Sequence, residues 1–187
     1  MRIEMLGPPT AGKSSLVREL VLSGIGKGNV QYHAPIPQTW ESFAKRIEST
    51  YSDRMLFKKR LQSLPEKTLN ALSTAHYGDQ FKGPVVYDEL VALCGLSMAI
   101  RHSDNWHWYF EQMPMPGLLV VLECSLDTII KRNQARGERD RTKKSIRAFD
   151  KMAEIKPLIE KRGGNVIYLN TDELNSYQCA KQVLKCL

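Results

Sequence analysis

The residues best equipped for chemistry lie near the start of the 187-residue chain. Gly7-Pro8-Pro9-Thr10-Ala11-Gly12-Lys13-Ser14 fits G-x-x-x-x-G-K-[ST] at every constrained position. Gly7 and Gly12 let the backbone curl tightly and turn several N–H groups toward phosphate oxygens. Pro8, Pro9, Thr10 and Ala11 complete the cradle. A helix opening at Ser14 aims its partially positive end at the same anion. Lys13 adds an ammonium for the β- and γ-phosphates, Ser14 a hydroxyl for magnesium, and Ser15 a contact for the α-phosphate. Such a pattern arises by chance in roughly one chain in a hundred of this length. The flanks therefore decide: a strand read at Ile3–Leu6 precedes the motif, and a helix read at Ser14–Leu22 follows it.

Two further segments carry matching chemistry. Val85-Val86-Tyr87-Asp88-Glu89 is apolar and then acidic, where a strand ends. Ligands of open α/β sheets bind beyond those ends. A carboxylate there can hold a magnesium water or take the proton of an acceptor hydroxyl. Asp88 is the first candidate and Glu89 the second, with a helix cap as the plainer use of one of them. Between Lys131 and Arg141 lie Arg132, Arg136, Arg139 and Arg141. Arg132 and Arg136 share a helical face, and Gly137 breaks the helix. An arginine-rich segment can fold over a transferring phosphoryl group, neutralise its charge and exclude water. A solvated basic helix end is the alternative.

Positioning these groups calls for an α/β fold with a parallel sheet, because short apolar runs alternate with helical segments. Strands are expected at Ile3–Leu6, Val30–His33, Val85–Asp88, Leu118–Cys124 and Val166–Asn170. Helices are expected at Ser14–Leu22, Glu41–Tyr51, Arg54–His76 with a break near Pro65, Glu89–Arg101, Ser125–Arg136, Lys143–Arg162 and Leu174–Leu187. The chain reads as one domain, 1–187, with a helical acceptor-side insertion at about 34–83 and a lid at about 136–143. Glu4 is the misfit, a charge in a strand that should be buried, and is expected at a sheet end or beside a basic group.

Composition sets the outer bounds. With 42% hydrophobic residues the chain can bury an ordinary core. No apolar run approaches the roughly 20 residues that span a bilayer, and the apolar start is too short for a signal peptide. A soluble cytoplasmic protein with no membrane partner is the expectation. Cys94, Cys124, Cys179 and Cys186 form no C-x-x-C pair, so a zinc site is not expected; Cys124 reads as a buried thiol, and Cys179 and Cys186 as sharing a helical face. The net charge of +7 suits nucleotides, nucleic acid or anionic lipid, or lines a phosphate pocket. Lys58-Lys59-Arg60, Lys143-Lys144 and Lys161-Arg162 could follow a nucleic-acid backbone or be solvated helix faces. Trp106, Trp108, Tyr109 and Phe110 cannot all face one core from a helix; Trp108, Tyr109 or Phe110 is expected to pack under the sheet, and Trp106 or His107 is a candidate for stacking on an acceptor base, with the same two readings for Trp40.

Phosphate loop, acidic strand end and arginine segment together resemble the P-loop nucleoside and nucleotide kinase superfamily, thymidylate and deoxynucleoside kinases above all. The resemblance implies a three-layer sandwich around a five-stranded parallel sheet ordered 2-3-1-4-5, ATP with Mg2+ as donor, and a closing lid. Lys13, Ser14, Asp88 and Arg136 match the superfamily's functional positions, with Arg132, Arg139 and Arg141 as further lid candidates. Thr171, within Asn170-Thr171-Asp172, falls in what looks like its adenine-side loop. Deoxynucleoside kinases carry a catalytic Glu after the second strand, whereas Tyr32 to Trp40 here contains no acid. The implied activity is transfer of the γ-phosphate to a nucleoside or nucleotide. The alternatives are a kinase acting on DNA, at a strand end or at a base hydroxyl such as that of 5-hydroxymethyluracil, and a non-catalytic NTP-binding switch. A sulfotransferase and a sugar or cofactor kinase complete the readings, and a homodimer stays open. No Asn-Lys-x-Asp base-reading motif of a GTPase is present.

Overall fold

The computed structural model describes residues 1–28, 35–52, 63–101, 106–137 and 139–187, the side chains of 51–52, 63–65 and 139–141 excepted. Five strands form one sheet: β1 (Arg2–Leu6), β2 (Gly26–Lys27), β3 (Val85–Tyr87), β4 (Leu118–Glu123) and β5 (Val166–Asn170). All pairings are parallel, and the order is β2-β3-β1-β4-β5, as expected. The helices are α1 (Lys13–Leu22), α2 (Glu41–Ser52), α3 (Ser63–Asp79), α4 (Val91–Arg101), α5 (His107–Gln112), α6 (Leu126–Ala135), α7 (Arg139–Arg162) and α8 (Ser176–Leu184), with one 3-10 turn at Gln38–Trp40.

Strand alternation divides the core in two, because successive side chains point to opposite faces. Ile3, Met5, Val86, Val120 and Leu122 pack with α1 and α8 residues such as Leu16, Leu20 and Val183. Leu6, Val85, Tyr87, Leu119 and Val121 pack with α2 to α5 and α7. β1 is central and buried at every position, including Arg2 and Glu4. Burial pushes the Glu4 carboxyl up, opposed by the adjacent Arg2 guanidinium. Arg2 Nε lies 2.9 Å from Glu4 Oε1. The other guanidinium nitrogens donate to Asp79 Oδ2 at 2.8 Å and to the Pro114 carbonyl at 2.9 Å. Glu4 Oε2 accepts the Ala92 N–H at 2.8 Å. The misfit in the strand is thus a buried tie from β1 to the start of α4 and the end of α3.

Several boundaries differ from the sequence reading. The second described strand is Gly26–Lys27, two exposed residues beside β3; the expected Val30–His33 lies outside the described residues. An edge strand this short is held by backbone pairing and has no apolar pattern to read. α3 begins at Ser63 and has Pro65 in its first turn, where the missing N–H costs nothing; residues 54–62 of the expected helix lie outside the described residues. Within 35–83 the described elements are the 3-10 turn, α2 and α3, with no strand among them. Ser125 caps α6 as expected, its Oγ accepting the Thr128 N–H. Cys124 is buried as expected, but Cys179 and Cys186 do not share a helical face: α8 ends at Leu184, leaving Cys179 buried and Cys186 exposed.

In the aromatic run Trp108, Tyr109 and Phe110 pack in the core as expected, and Trp106 joins them; only His107 is exposed. The premise of a single facing core fails because α5 is only six residues long and is enclosed on several sides. Phe43 of α2 packs edge-on against Trp108 and Tyr109. The Arg46 guanidinium lies 4.6 Å from the Trp108 ring centre, and Lys151 Nζ of α7 lies 5.2 Å from that of Trp106. Tyr109 donates its hydroxyl to the Val91 carbonyl of α4. Trp40 is also occupied structurally, over Arg2 at 5.5 Å and edge-on to His76. Trp106, fully buried, is not free to stack on a base, whereas Trp40 is half-buried.

Gly95 of α4 makes this packing possible. A Cβ there would fall 2.7 Å from the Tyr109 ring and 2.8 Å from Phe110. Gly95→Ala should therefore destabilise the fold by about 1–3 kcal/mol, the usual cost of overpacking a full core. A urea melt reads this directly, and an unchanged midpoint would contradict the packing described.

Candidate active site

The phosphate loop joins β1 to α1 at the carboxyl end of the central strand. Its curl requires φ values that side chains resist: 151° at Gly7, 66° at Thr10 and 101° at Gly12. Gly7 is further constrained by β4, since a Cβ there would sit 2.7 Å from the Leu122 carbonyl oxygen. The Ala11 N–H closes the turn onto the Pro8 carbonyl at 3.2 Å. α1 begins with no side-chain cap and no acid in its first turn, leaving its amino end open to an anion. Lys13 Nζ folds along the loop and donates to the Gly7 and Pro8 carbonyls at 2.7 and 2.8 Å.

Burial lowers the Lys13 pKa to about 8, and the charges of Glu89 and then Asp88 oppose that fall. Both predicted carboxylates thus lie close enough to act on the loop lysine. Glu89 is exposed and faces Lys67 at 3.7 Å. Asp88 is half-buried. Ser14 and Ser15 are exposed on the loop's outer side.

Two cavities flank this loop. One, of about 510 Å³, is lined by Thr10, Gly12 and Ser15, by Arg132 and Arg136, and by residues 171–176. The other, of about 670 Å³, is lined by Pro9, Lys13, Glu89 and Lys144 and by faces of α3 and α4. Arg132 holds the first cavity together. Its Nη1 donates to the Thr10 carbonyl and to Thr171 Oγ1, both at 3.1 Å, and Nη2 donates to the Thr171 carbonyl at 2.9 Å. The predicted lid arginine is therefore a clasp between the phosphate loop and the loop after β5. Asp172 fixes the latter loop by accepting the Ser125 N–H at 2.7 Å. Burial works against the Asp172 charge, but hydrogen bonds from Thr128 and Ser125 outweigh it and hold the carboxyl below its usual range. Arg136 ends α6, is exposed, and lines the same cavity. The side chains of Arg139 and Arg141 lie outside the described residues.

The second cavity contains groups the sequence reading missed. Lys67 and Asn70 come from α3, Ser97 and Arg101 from α4, and Lys144 from α7. Leu93, Ser97 and Arg101 recur every four residues, so one face of α4 lines this wall. That spacing was visible in the sequence, whereas its meeting with α3 and α7 was not. Lys144 had been read only as part of a basic pair. Lys161 and Arg162 lie at the other end of α7, where Arg162 donates to the Phe110 and Met113 carbonyls. Lys58-Lys59-Arg60 lies outside the described residues.

Neither a protein-family model nor a curated protein matches the sequence. Solved structures do match. A deoxyadenosine kinase from M. mycoides with bound dATP superposes with a TM-score of 0.64 at 13% identity, over 99% of this chain and 97% of its own. This chain has the P-loop kinase fold. Two other structures with this kinase fold extend the likeness. The YorR protein of Bacillus subtilis, in complex with phosphorylated GDP, gives 0.55 at 16% identity over 99% and 94%. A shikimate kinase from Acinetobacter baumannii, in complex with shikimate, gives 0.51 at 17% over 98% and 90%. Among the described residues no helix is long and apolar enough to cross a membrane.

The depressed Lys13 value gives a pH test. A bound phosphate favours charged Lys13, so above about pH 8 binding must take up a proton. Affinity for a non-hydrolysable ATP analogue should be flat in this group below pH 8 and fall as pH rises through it. Lys13→Arg, which stays charged, should lack that step in calorimetric titrations at pH 7–10. An identical step in the variant would assign it elsewhere.

Proposed function

We propose that this protein is a kinase that moves the γ-phosphate of ATP to a hydroxyl or phosphate oxygen of a nucleoside- or nucleotide-type acceptor. The observation that carries the reading is the pair of cavities on opposite sides of one phosphate loop. Thr10, Gly12 and Ser15 face the first, and Pro9 and Lys13 face the second. A binding switch needs only the first. A second cavity that reaches the loop lysine suits a second substrate.

In this reading the donor nucleoside occupies the cavity braced by Arg132, with Thr171 beside it, and its phosphates lie along the loop amides. Lys13 exchanges its two carbonyl partners for β- and γ-phosphate oxygens. Glu89 lines the acceptor cavity beside Lys13, which favours it as the group that takes the acceptor proton. The acceptor oxygen forms the new bond to phosphorus as the bond to the bridging β–γ oxygen breaks, leaving ADP. Arg136 lines the donor cavity, and in this reading it offsets charge on the transferring group.

Magnesium fits a shared rather than a protein-only site. Among the described residues no three His, Cys, Asp or Glu side chains cluster to cage an ion. The exposed Ser14 hydroxyl and the half-buried Asp88 carboxylate would hold it, with phosphate oxygens and waters completing the shell. Bound there, the ion would draw charge from the β- and γ-phosphates.

The test is transfer of label from γ-labelled ATP to a panel of nucleosides, nucleotides and DNA strands. Lys13→Ala should lower turnover by several orders of magnitude with the fold intact. Arg136→Ala should cost roughly 10²–10³-fold. Glu89→Gln should lower kcat far more than it changes the KM for ATP. ATP binding without label transfer to any acceptor would leave the switch reading instead.

A further inference from the structure

We infer that the acceptor already carries a phosphate group before it is phosphorylated, held by Arg101 and Lys144 in the cavity between α3, α4 and α7. This rests on the kinase reading above and narrows its acceptor class.

The cavity's charge is lopsided. Among the described residues four cations line it, Lys13, Lys67, Arg101 and Lys144, against one lining carboxylate, Glu89. Glu89 already faces Lys67, and Lys13 belongs to the donor phosphates. Arg101 and Lys144 remain, both exposed, with no ion-pair partner among the described residues. Lys144 lies near enough to Lys13 to act against its protonation, although Glu89 and Asp88 act more strongly the other way. Gathering like charges around an apolar-walled space costs energy unless an anion fills it. A neutral nucleoside would leave both cations uncompensated, whereas a phosphate monoester, at about −1.5 to −2 charges, would offset them. Two substrate ends are thereby catered for. Leu90, Leu93 and Leu96 offer an apolar wall to a base or sugar, and the cations offer a site for its phosphate.

The required chemistry is a phosphate on a nucleotide unit, whether free or within a strand. Calorimetry with the donor site filled by a non-hydrolysable ATP analogue and Mg2+ tests this. The probes are the four deoxynucleosides, their 5′-monophosphates and a short single-stranded oligonucleotide. At least one phosphorylated probe should bind ten times or more tighter than its nucleoside. Arg101→Gln/Lys144→Gln should cut that preference at least tenfold, while the nucleoside's own affinity stays within about threefold. Tight monophosphate binding identifies a free nucleotide. Strand binding alone, with affinity falling steeply with salt, identifies a polymer. Either supports the inference. A nucleoside that binds as well as its monophosphate, an unchanged preference in the double variant, or no binding of any phosphorylated probe overturns it. Failure of the ATP analogue itself to bind would instead overturn the kinase reading.

Discussion

Backbone amides can surround a phosphate only if the chain turns through conformations that side chains resist. Here that turn is made by three residues with positive φ, one of them a threonine, and it holds because its neighbours leave it no alternative. Gly7 is pressed against the Leu122 carbonyl of β4, so the loop's first turn is set by the sheet itself. Lys13 braces the curl from within through the Gly7 and Pro8 carbonyls. Arg132 braces it from outside through the Thr10 carbonyl. Both cavities are defined by this one rigid feature.

The walls of the second cavity are indexed to the same strand. Glu4, three residues before Gly7, accepts the Ala92 N–H at the start of α4, and Arg2 reaches Asp79 at the end of α3. A buried ion pair contributes little net stability compared with apolar residues of similar size, yet losing one partner is costly. Its effect here is geometric. A shift of α3 or α4 relative to β1 would break a hydrogen bond to this buried pair, so the helices that line one cavity are tied to the strand that carries the loop.

What was legible in the sequence follows from how local each feature is. The phosphate loop occupies eight contiguous residues, and every chemical requirement is written in their types. β4 and β5 were legible because strands covered on both faces read as apolar runs. β2 was not, since Gly26 and Lys27 contribute backbone pairing and no pattern. Trp106 misled because burial from several directions depends on α2, α4 and α7 arriving from distant parts of the chain. Arg132 was read as a lid candidate, but its hold on Thr10 and Thr171 joins positions 122 and 39 residues apart. The cation-rich second cavity was invisible for the same reason: Lys67, Arg101 and Lys144 meet only after folding.

A phosphate loop flanked by two cavities should hold two substrates at once. A bisubstrate compound, adenosine joined through a polyphosphate chain to a nucleoside, probes this. It should form a one-to-one complex at least a hundred times tighter than that of ATP and exclude donor and acceptor together. Binding no tighter than ATP, with the acceptor cavity still open to a second ligand, would contradict simultaneous occupancy.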